Sequence, residues 1–383
     1  MIIINDKSLC SGCYACFNVC PKKCIEMKVD NEGFWYPKVE NDKCVDCHMC
    51  EKVCPILNIN KNKYVPKAYA CYNKDTTIRM DSSSGGIFTL LASNTISNGG
   101  IVYGAMFNNQ FEVVHGRVTT DEELKLLRGA KYSQSKLGNT YNNVKRDLDE
   151  GVEVYFSGTP CQIDGLLTFL NKKYENLICQ DIICHGVPSP KVWKEYLQTF
   201  GGRINKIKFR NKDNGWADYN IEIESDNQLY KKNHDKDIFM KSFLNNMCLR
   251  PSCYNCHSKS LRRNSDITLA DFWGIDNIDL SMNDNKGTSL VFVNSEKGKK
   301  LYSGIGDDII FKEVDINEAA RYNPSAYQSV TLTDKRKIFF NNYNGRNLNK
   351  IVNKLTKVSI NMKINKFIRR ILGKVKRTFF NWR

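Results

Sequence analysis

Cys10-Ser-Gly-Cys13-Tyr-Ala-Cys16-Phe-Asn-Val-Cys20-Pro21 and Cys44-Val-Asp-Cys47-His-Met-Cys50-Glu-Lys-Val-Cys54-Pro55 are two copies of one pattern, C-x2-C-x2-C-x3-C-P. Three thiolates at i, i+3 and i+6 converge on three irons of one cubane, while the fourth, set beyond a tighter turn, reaches the neighbouring cluster, as in bacterial two-cluster ferredoxins. The spacing predicts one [4Fe-4S] on Cys10, Cys13, Cys16 and Cys54, and a second on Cys44, Cys47, Cys50 and Cys20. Zinc sites come as two separated C-x2-4-C pairs, so the doubled run with its prolines favours iron–sulfur. Gly33 to Val39 reads as a strand between the runs, and Asn58 to Lys67 as a polar linker. Residues 1–60 are therefore expected to be a ferredoxin module. Cys24 reads as a spare thiol near the second cluster and Cys71, in an apparent strand Ala68 to Tyr72, as a small buried residue.

The remaining chain bounds what those clusters serve. There are 383 residues, with 57 Lys+Arg, 41 Asp+Glu and 16 Cys, enough for two or three domains. No stretch approaches 18 consecutive apolar residues, and Met1 to Asp6 has no basic, apolar leader, so the chain is expected in the cytoplasm. Thiols are kept reduced there, which favours cluster ligands over disulfides. Residues 335–383 hold 15 Lys+Arg and no Asp or Glu. Removing those 15 leaves 42 basic residues against 41 acidic ones, so the body is near neutral and the positive charge belongs to a tail.

Ser82-Ser83-Ser84-Gly85-Gly86 precedes the apolar run Ile87 to Ile96, which reads as a helix capped by serine, a start whose N–H groups suit an anion. Val152 to Ser157 reads as a strand, Gly158-Thr159-Pro160 as a turn and Cys161 to Leu170 as a helix. Ile178 to Cys184 and Asp266 to Asp271 are further strands. Thr159 to Gln162, and Cys184 with His185, then fall at carboxyl ends of strands, where α/β sheets place ligands. Gly201 to Lys232 alternates as antiparallel strands do, with Trp216 and Tyr219 as core or pocket-lining residues. No G-x-G-x-x-G opens a helix after a strand, which argues against an ordinary NAD dehydrogenase.

Ser83 to Gly86, Gly129-Ala-Lys131-Tyr132-Ser133-Gln134-Ser135, Ser157-Gly158-Thr159-Pro160-Cys161-Gln162, Cys184-His185-Gly186-Val-Pro188 and Ala270-Asp271-Phe-Trp-Gly274 together resemble the coenzyme F420 hydrogenase/dehydrogenase beta-subunit family. The resemblance covers roughly residues 1–330, its amino-terminal part over 68–150 and its carboxy-terminal part over 151–330. It looks nearest to a bacterial branch found among polysaccharide-biosynthesis enzymes. It implies a flavoprotein with non-covalent FAD and clusters that carry single electrons to or from it, the redox partner being a ferredoxin or a deazaflavin coenzyme. It further implies FAD contacts from Ser83, Ser84, Gly85, Gly86, Lys131, Tyr132, Ser133, Gln134, Thr159, Pro160 and Gln162, with His185 and Lys131 as catalytic candidates.

Cys248, Cys253 and Cys256, with Cys161 or Cys184 as fourth ligand, are the candidates for a third [4Fe-4S]; zinc held with His257 is the alternative. Asp271 orders the cofactor or caps a turn. Residues 360–382 place Ile364, Phe367, Ile368, Ile371 and Leu372 near helical spacing among lysines and arginines. This basic amphipathic helix suits the surface of an anionic membrane, with docking on a protein as the alternative and no nucleic acid expected.

The expected fold is α+β, with a two-cluster ferredoxin module, a mixed-sheet α/β flavin domain and a C-terminal basic amphipathic helix in 335–383. The expected function is an iron–sulfur flavoprotein oxidoreductase, acting on an organic substrate in either direction. A deazaflavin-oxidising input subunit and a non-catalytic electron-transfer subunit are the competing readings.

Overall fold

The computed structural model describes residues 1–58 and 62–357. In the amino-terminal module the two cysteine runs fold alike. Short helices Ala15–Val19 and Met49–Lys52 each start after a left-handed residue, Tyr14 at φ 64° and His48 at φ 57°. Strands β1 (Ile25–Val29) and β2 (Trp35–Val39) pair antiparallel between them. The core here is small, with Ile2, Cys24, Ile25 and Cys50 buried, which suits a unit stapled by metal clusters.

The body is built on eight strands: β3 (Lys67–Asn73), β4 (Ile101–Phe107), β5 (Val113–Val118), β6 (Val154–Gly158), β7 (Leu177–Ile182), β11 (Ile267–Asp271), β12 (Ser289–Val293) and β13 (Ile309–Val314). Between β7 and β11 the chain forms a separate antiparallel sheet of β8 (Ile204–Asn211), β9 (Asn220–Ser225) and β10 (Leu229–Asn233). In the large sheet the order is β13-β3-β12-β11-β7-β6-β4-β5. Its centre, β4, β6, β7 and β11, is parallel, and the flanks are antiparallel.

Parallel strands are covered on both faces, which explains their near-continuous apolar reading. Val154 and Phe156 pack with Ile163 and Leu166 of the helix Pro160–Leu170. Tyr155, between them, points the other way with Ile178, toward Ile87 and Leu91 of the helix Ile87–Ser97. That helix is not serine-capped: its N-cap is Gly86 at φ 82°, with no side-chain cap.

A third core joins β8 and β9 to the helices Pro190–Gln198 and Ile238–Leu244 through Trp193, Phe209, Ile221 and Phe239. It also takes in Phe339, Ile351 and Val352 from the helices Asp334–Asn342 and Leu348–Thr356. The basic segment expected over 335–383 therefore begins as packed body. Its charge count concealed an apolar stripe, and the amphipathic stretch 360–382 lies outside the described residues.

The module is docked on the body. Cys13, Tyr14 and Ala15 pack into the core containing Ile163 and Leu166. A Cβ on Gly165 would lie 2.9 Å from Cys13 Sγ, so this helix reaches the ligand only because residue 165 has no side chain. Thr168 Oγ1 donates to the Val53 carbonyl at 2.7 Å, and Arg336 pairs with Glu32.

Candidate functional site

The carboxyl ends of β6, β7 and β11 open into one cavity of about 540 Å³, the size and position expected for an organic cofactor or substrate. Ser83, Ser84, Gly86, Lys131, Tyr132, Ser133, Gln134, Thr159, Gln162 and His185 all line it, as do Cys161 and Cys184. Ser11 and Gly12, from the first cysteine run, form part of the same wall. Gly85 and Pro160 are not in the lining. Gly85 lies against the Cys71 carbonyl, where a Cβ would come within 2.6 Å, and its N–H donates to Ser289 Oγ. Pro160 is the buried first residue of its helix.

Much of the polar lining is already engaged. Ser83 Oγ accepts from Ala130 N, and Ser84 Oγ donates to the Thr288 carbonyl. Thr159 and Gln162 form a capping box, Thr159 N donating to Gln162 Oε1 at 2.9 Å. The Gln134 amide, expected on a flavin ring, is committed to the module: Nε2 donates to the Ser11 carbonyl at 3.2 Å and Oε1 accepts from Arg250 at 3.1 Å. By contrast Ser133 Oγ, Gln180 Oε1 and Arg210 Nε are buried, line the cavity and have no hydrogen-bond partner. Buried polar atoms are rarely left so, and three around one cavity fit a polar ligand.

Lys131 Nζ donates to the carbonyls of Leu127, Arg128 and Gly129. Burial pushes it down from 10.5 to about 7, while the three acceptors favour its charged form. The ammonium is thus lost as pH rises through about 7. Between about 7 and 10.5 the unfolded chain keeps a proton the fold has released, so this group makes the fold more stable as pH rises through that window. Anion retention has the opposite dependence. Affinity for an anionic ligand is expected to fall between about pH 6 and pH 8 in the wild type and to stay flat in Lys131→Met, measured by ligand titration at fixed ionic strength.

His185 Nε2 is hydrogen-bonded to Asn246 Oδ1 at 2.6 Å, and burial lowers its pKa. A neutral ring donating through Nε2 leaves Nδ1 as an acceptor. Sequence reasoning missed His115, which also lines the cavity. Its Nε2 donates to the Ser157 carbonyl at 3.1 Å, Nδ1 meets Ser135 Oγ at 2.5 Å, and burial lowers it to about 4, keeping it neutral. Arg210, from β8, was missed as well. It forms a bidentate pair with Asp271 at 2.9 and 3.1 Å, and Asp271 also accepts from Trp216 Nε1. Asp271 therefore ties the small sheet to the large one across the cavity. Trp216 is core, whereas Tyr219 and Trp273 reach the lining.

The cysteines sort into three sets. Cys16 is raised by burial and then by Cys13, Cys10 and Cys54, the grouping expected for the first cluster. Cys20, Cys44, Cys47 and Cys50 line a second, small cavity. Cys24 joins them, its Sγ 3.4 Å from that of Cys20. In the body Cys161 is raised by burial, then by Cys256, with Cys184 and Cys253 also contributing. Cys253 is pushed up to about 12 by burial and by Cys184. Buried thiols whose negative charges oppose one another suit polynuclear cations, which deprotonate their ligands. Among the described residues no three of His, Cys, Asp and Glu come close enough to hold one metal ion; a cubane gives each thiolate its own iron.

Cys248 does not join this set. It is fully buried in the third core, its Sγ 3.3 Å from Ser242 Oγ. The C-x4-C-x2-C run thus contributes two residues to the set, and both Cys161 and Cys184 complete it. His257 turns Nε2 toward Asp164 at 4.0 Å.

Doubled cysteine runs packed beside a strand-end cavity define an iron–sulfur electron-transfer protein. Residues 9–57 match the 4Fe-4S dicluster domain, and residues 152–319 match the carboxy-terminal region of the coenzyme F420 hydrogenase/dehydrogenase beta subunit. The chain belongs to the coenzyme F420 hydrogenase/dehydrogenase beta-subunit family, with a 4Fe-4S dicluster domain ahead of the matched region. It is 25% identical over 228 residues to the F-type subunit of the F(420)H(2) dehydrogenase of Methanosarcina mazei, covering 54% of this chain and 63% of that protein, less than two thirds of its length. Ferredoxin 7Fe of Hydrogenibacillus schlegelii is 36% identical over 70 residues, 18% of this chain and 83% of that one. A chain in a structure of the F420-reducing [NiFe] hydrogenase complex from Methanosarcina barkeri aligns with a TM-score of 0.45 at 15% identity, covering 69% of this chain and 91% of that chain. Among the described residues no helix is long and apolar enough to cross a membrane.

Proposed function

We propose that this chain is an iron–sulfur flavoprotein oxidoreductase that passes electrons between its ferredoxin clusters and FAD held in the 540 Å³ cavity. One observation carries the reading: the cavity is walled on one side by Ser11 and Gly12 of the first cysteine run and on another by Cys161 and Cys184. A flavin bound there would convert between the single electrons of clusters and the electron pairs of organic chemistry. Ser83 to Gly86, at the amino terminus of the helix Ile87–Ser97, would hold its pyrophosphate. Ser133 Oγ and Gln180 Oε1 are open to pair with the ligand, and neutral His185 offers Nδ1 as a proton acceptor. Cys161, Cys184, Cys253 and Cys256 would hold a third [4Fe-4S].

The family and the dehydrogenase relative favour reduced deazaflavin as the hydride donor, with electrons leaving through the clusters. The opposite direction, reduction of an organic substrate by ferredoxin, uses the same residues. The test is anaerobic mixing of the full chain with reduced F420, reduced ferredoxin and NADH in turn, followed at the flavin absorbance. Bleaching by F420 or ferredoxin, with NADH inert, supports the reading and fixes the direction. A chain with cluster absorbance and no flavin would be an electron carrier only.

A further inference from the structure

Four arginines are deeply buried: Arg79, Arg210, Arg250 and Arg263. Three have a carboxylate partner, Asp284, Asp271 and Asp181 respectively. Arg250, the most buried at 0% exposure, has none within 4.0 Å among the described residues. Its guanidinium donates to the Cys10 carbonyl at 2.8 Å, the Trp35 carbonyl at 2.9 Å and Gln134 Oε1 at 3.1 Å, and lies 4.2 Å from the Tyr36 ring centroid. Neutral partners do not balance a buried charge. The remaining contact is Nη2 to Cys10 Sγ at 3.7 Å.

We propose that Arg250 is the counter-charge of the cluster held by Cys10, Cys13, Cys16 and Cys54 and raises its reduction potential, so that an electron rests at the cavity edge. The proposal builds on the assignment of that cluster. A cubane with four thiolates is anionic, and each electron it takes up adds one negative charge without forming a bond. A fixed positive charge and an N–H donor on a ligand sulfur both favour the reduced state. The location gives this a use. Gln134, which Arg250 holds, lines the cavity beside Ser11 and Gly12. A Cβ on Gly12, at φ +67°, would come within 2.9 Å of Arg250 Nη1, so glycine there lets the guanidinium close on the cysteine loop. The Arg250 carbonyl also accepts from Cys253 N at 3.0 Å, which sets the same residue between two cysteine sets.

The test is a potentiometric titration of the anaerobically purified full chain, followed by low-temperature EPR. Wild type is compared with Arg250→Gln, which removes the charge, and Gln134→Glu, which places a carboxylate beside it. In each variant one cluster signal is expected to lose at least tenfold in its reduced-to-oxidised ratio at fixed potential, a downward move of about 59 mV or more for one electron. The other signals should hold their positions. If Arg250→Gln fails to retain iron, Gln134→Glu decides by the same criterion. Unshifted potentials in iron-replete variants overturn the role of Arg250. Absence of iron–sulfur signals from wild type overturns instead the cluster assignment on which it rests.

Discussion

Serine in place of Cys184 or Cys253 is expected to remove about four irons from each chain, while serine in place of Cys248 leaves the iron content unchanged. All three residues belong to the sequence's candidate set for a third centre, and the fold separates them. Burial and then Cys184 push the Cys253 thiol up, Cys256 opposes ionisation of Cys184, and Val187 N donates to Cys253 Sγ at 3.4 Å. Such a donor tunes a coordinated sulfur. Cys248 packs among Phe243, Met247 and Leu249, and Ser242 already meets its thiol. Its replacement by serine should cost only the polarity mismatch of a hydroxyl in a core, about 1–3 kcal/mol. Iron and acid-labile sulfide per chain, on protein purified without oxygen, provide the reading. Equal iron loss in all three variants would show that Cys248 is a ligand.

Asp271→Ala is expected to lower stability by about 3–5 kcal/mol and to abolish flavin retention, because removing one partner of a buried pair leaves the other charge uncompensated. Arg210 would lose its bidentate carboxylate with its side chain only 3% exposed, and Trp216 Nε1 would lose its acceptor. Asp271→Asn should fall between, since it keeps an acceptor but not the charge. Because the clusters make unfolding a multi-step process, the check is the shift of the body's thermal transition in protein with intact iron. A shift within about 1 °C would contradict the structural role given to the pair.

The ferredoxin module was legible because its chemistry is local: eight cysteines at fixed spacing and two prolines specify the ligand geometry almost unaided. The strand, turn and helix over residues 154–170 were legible for a similar reason, a run of apolar residues closed by Gly158, Thr159 and Pro160. Short motifs at strand and helix ends, from Ser83 to His185, were enough to name residues that meet around one cavity. What escaped was set by long-range contacts. Gln134 meets Ser11 across 123 positions and Arg250 meets Cys10 across 240; no periodicity announces either. His115 and Arg210 are single polar residues on strands, indistinguishable in sequence from solvent-facing ones. Cys248 misled because spacing counts thiols without saying which way each one points. The helices Asp334–Asn342 and Leu348–Thr356 were hidden beneath a charge count, although Phe339, Ile351 and Val352 carry the apolar positions that bury them.

That clusters and flavin share one cavity is tested most directly by quantifying iron, acid-labile sulfide and flavin together in the anaerobically purified chain. About twelve irons and one FAD per chain are expected. About eight irons with zinc and no flavin would contradict the shared cavity, leaving a two-cluster carrier whose cavity serves something else.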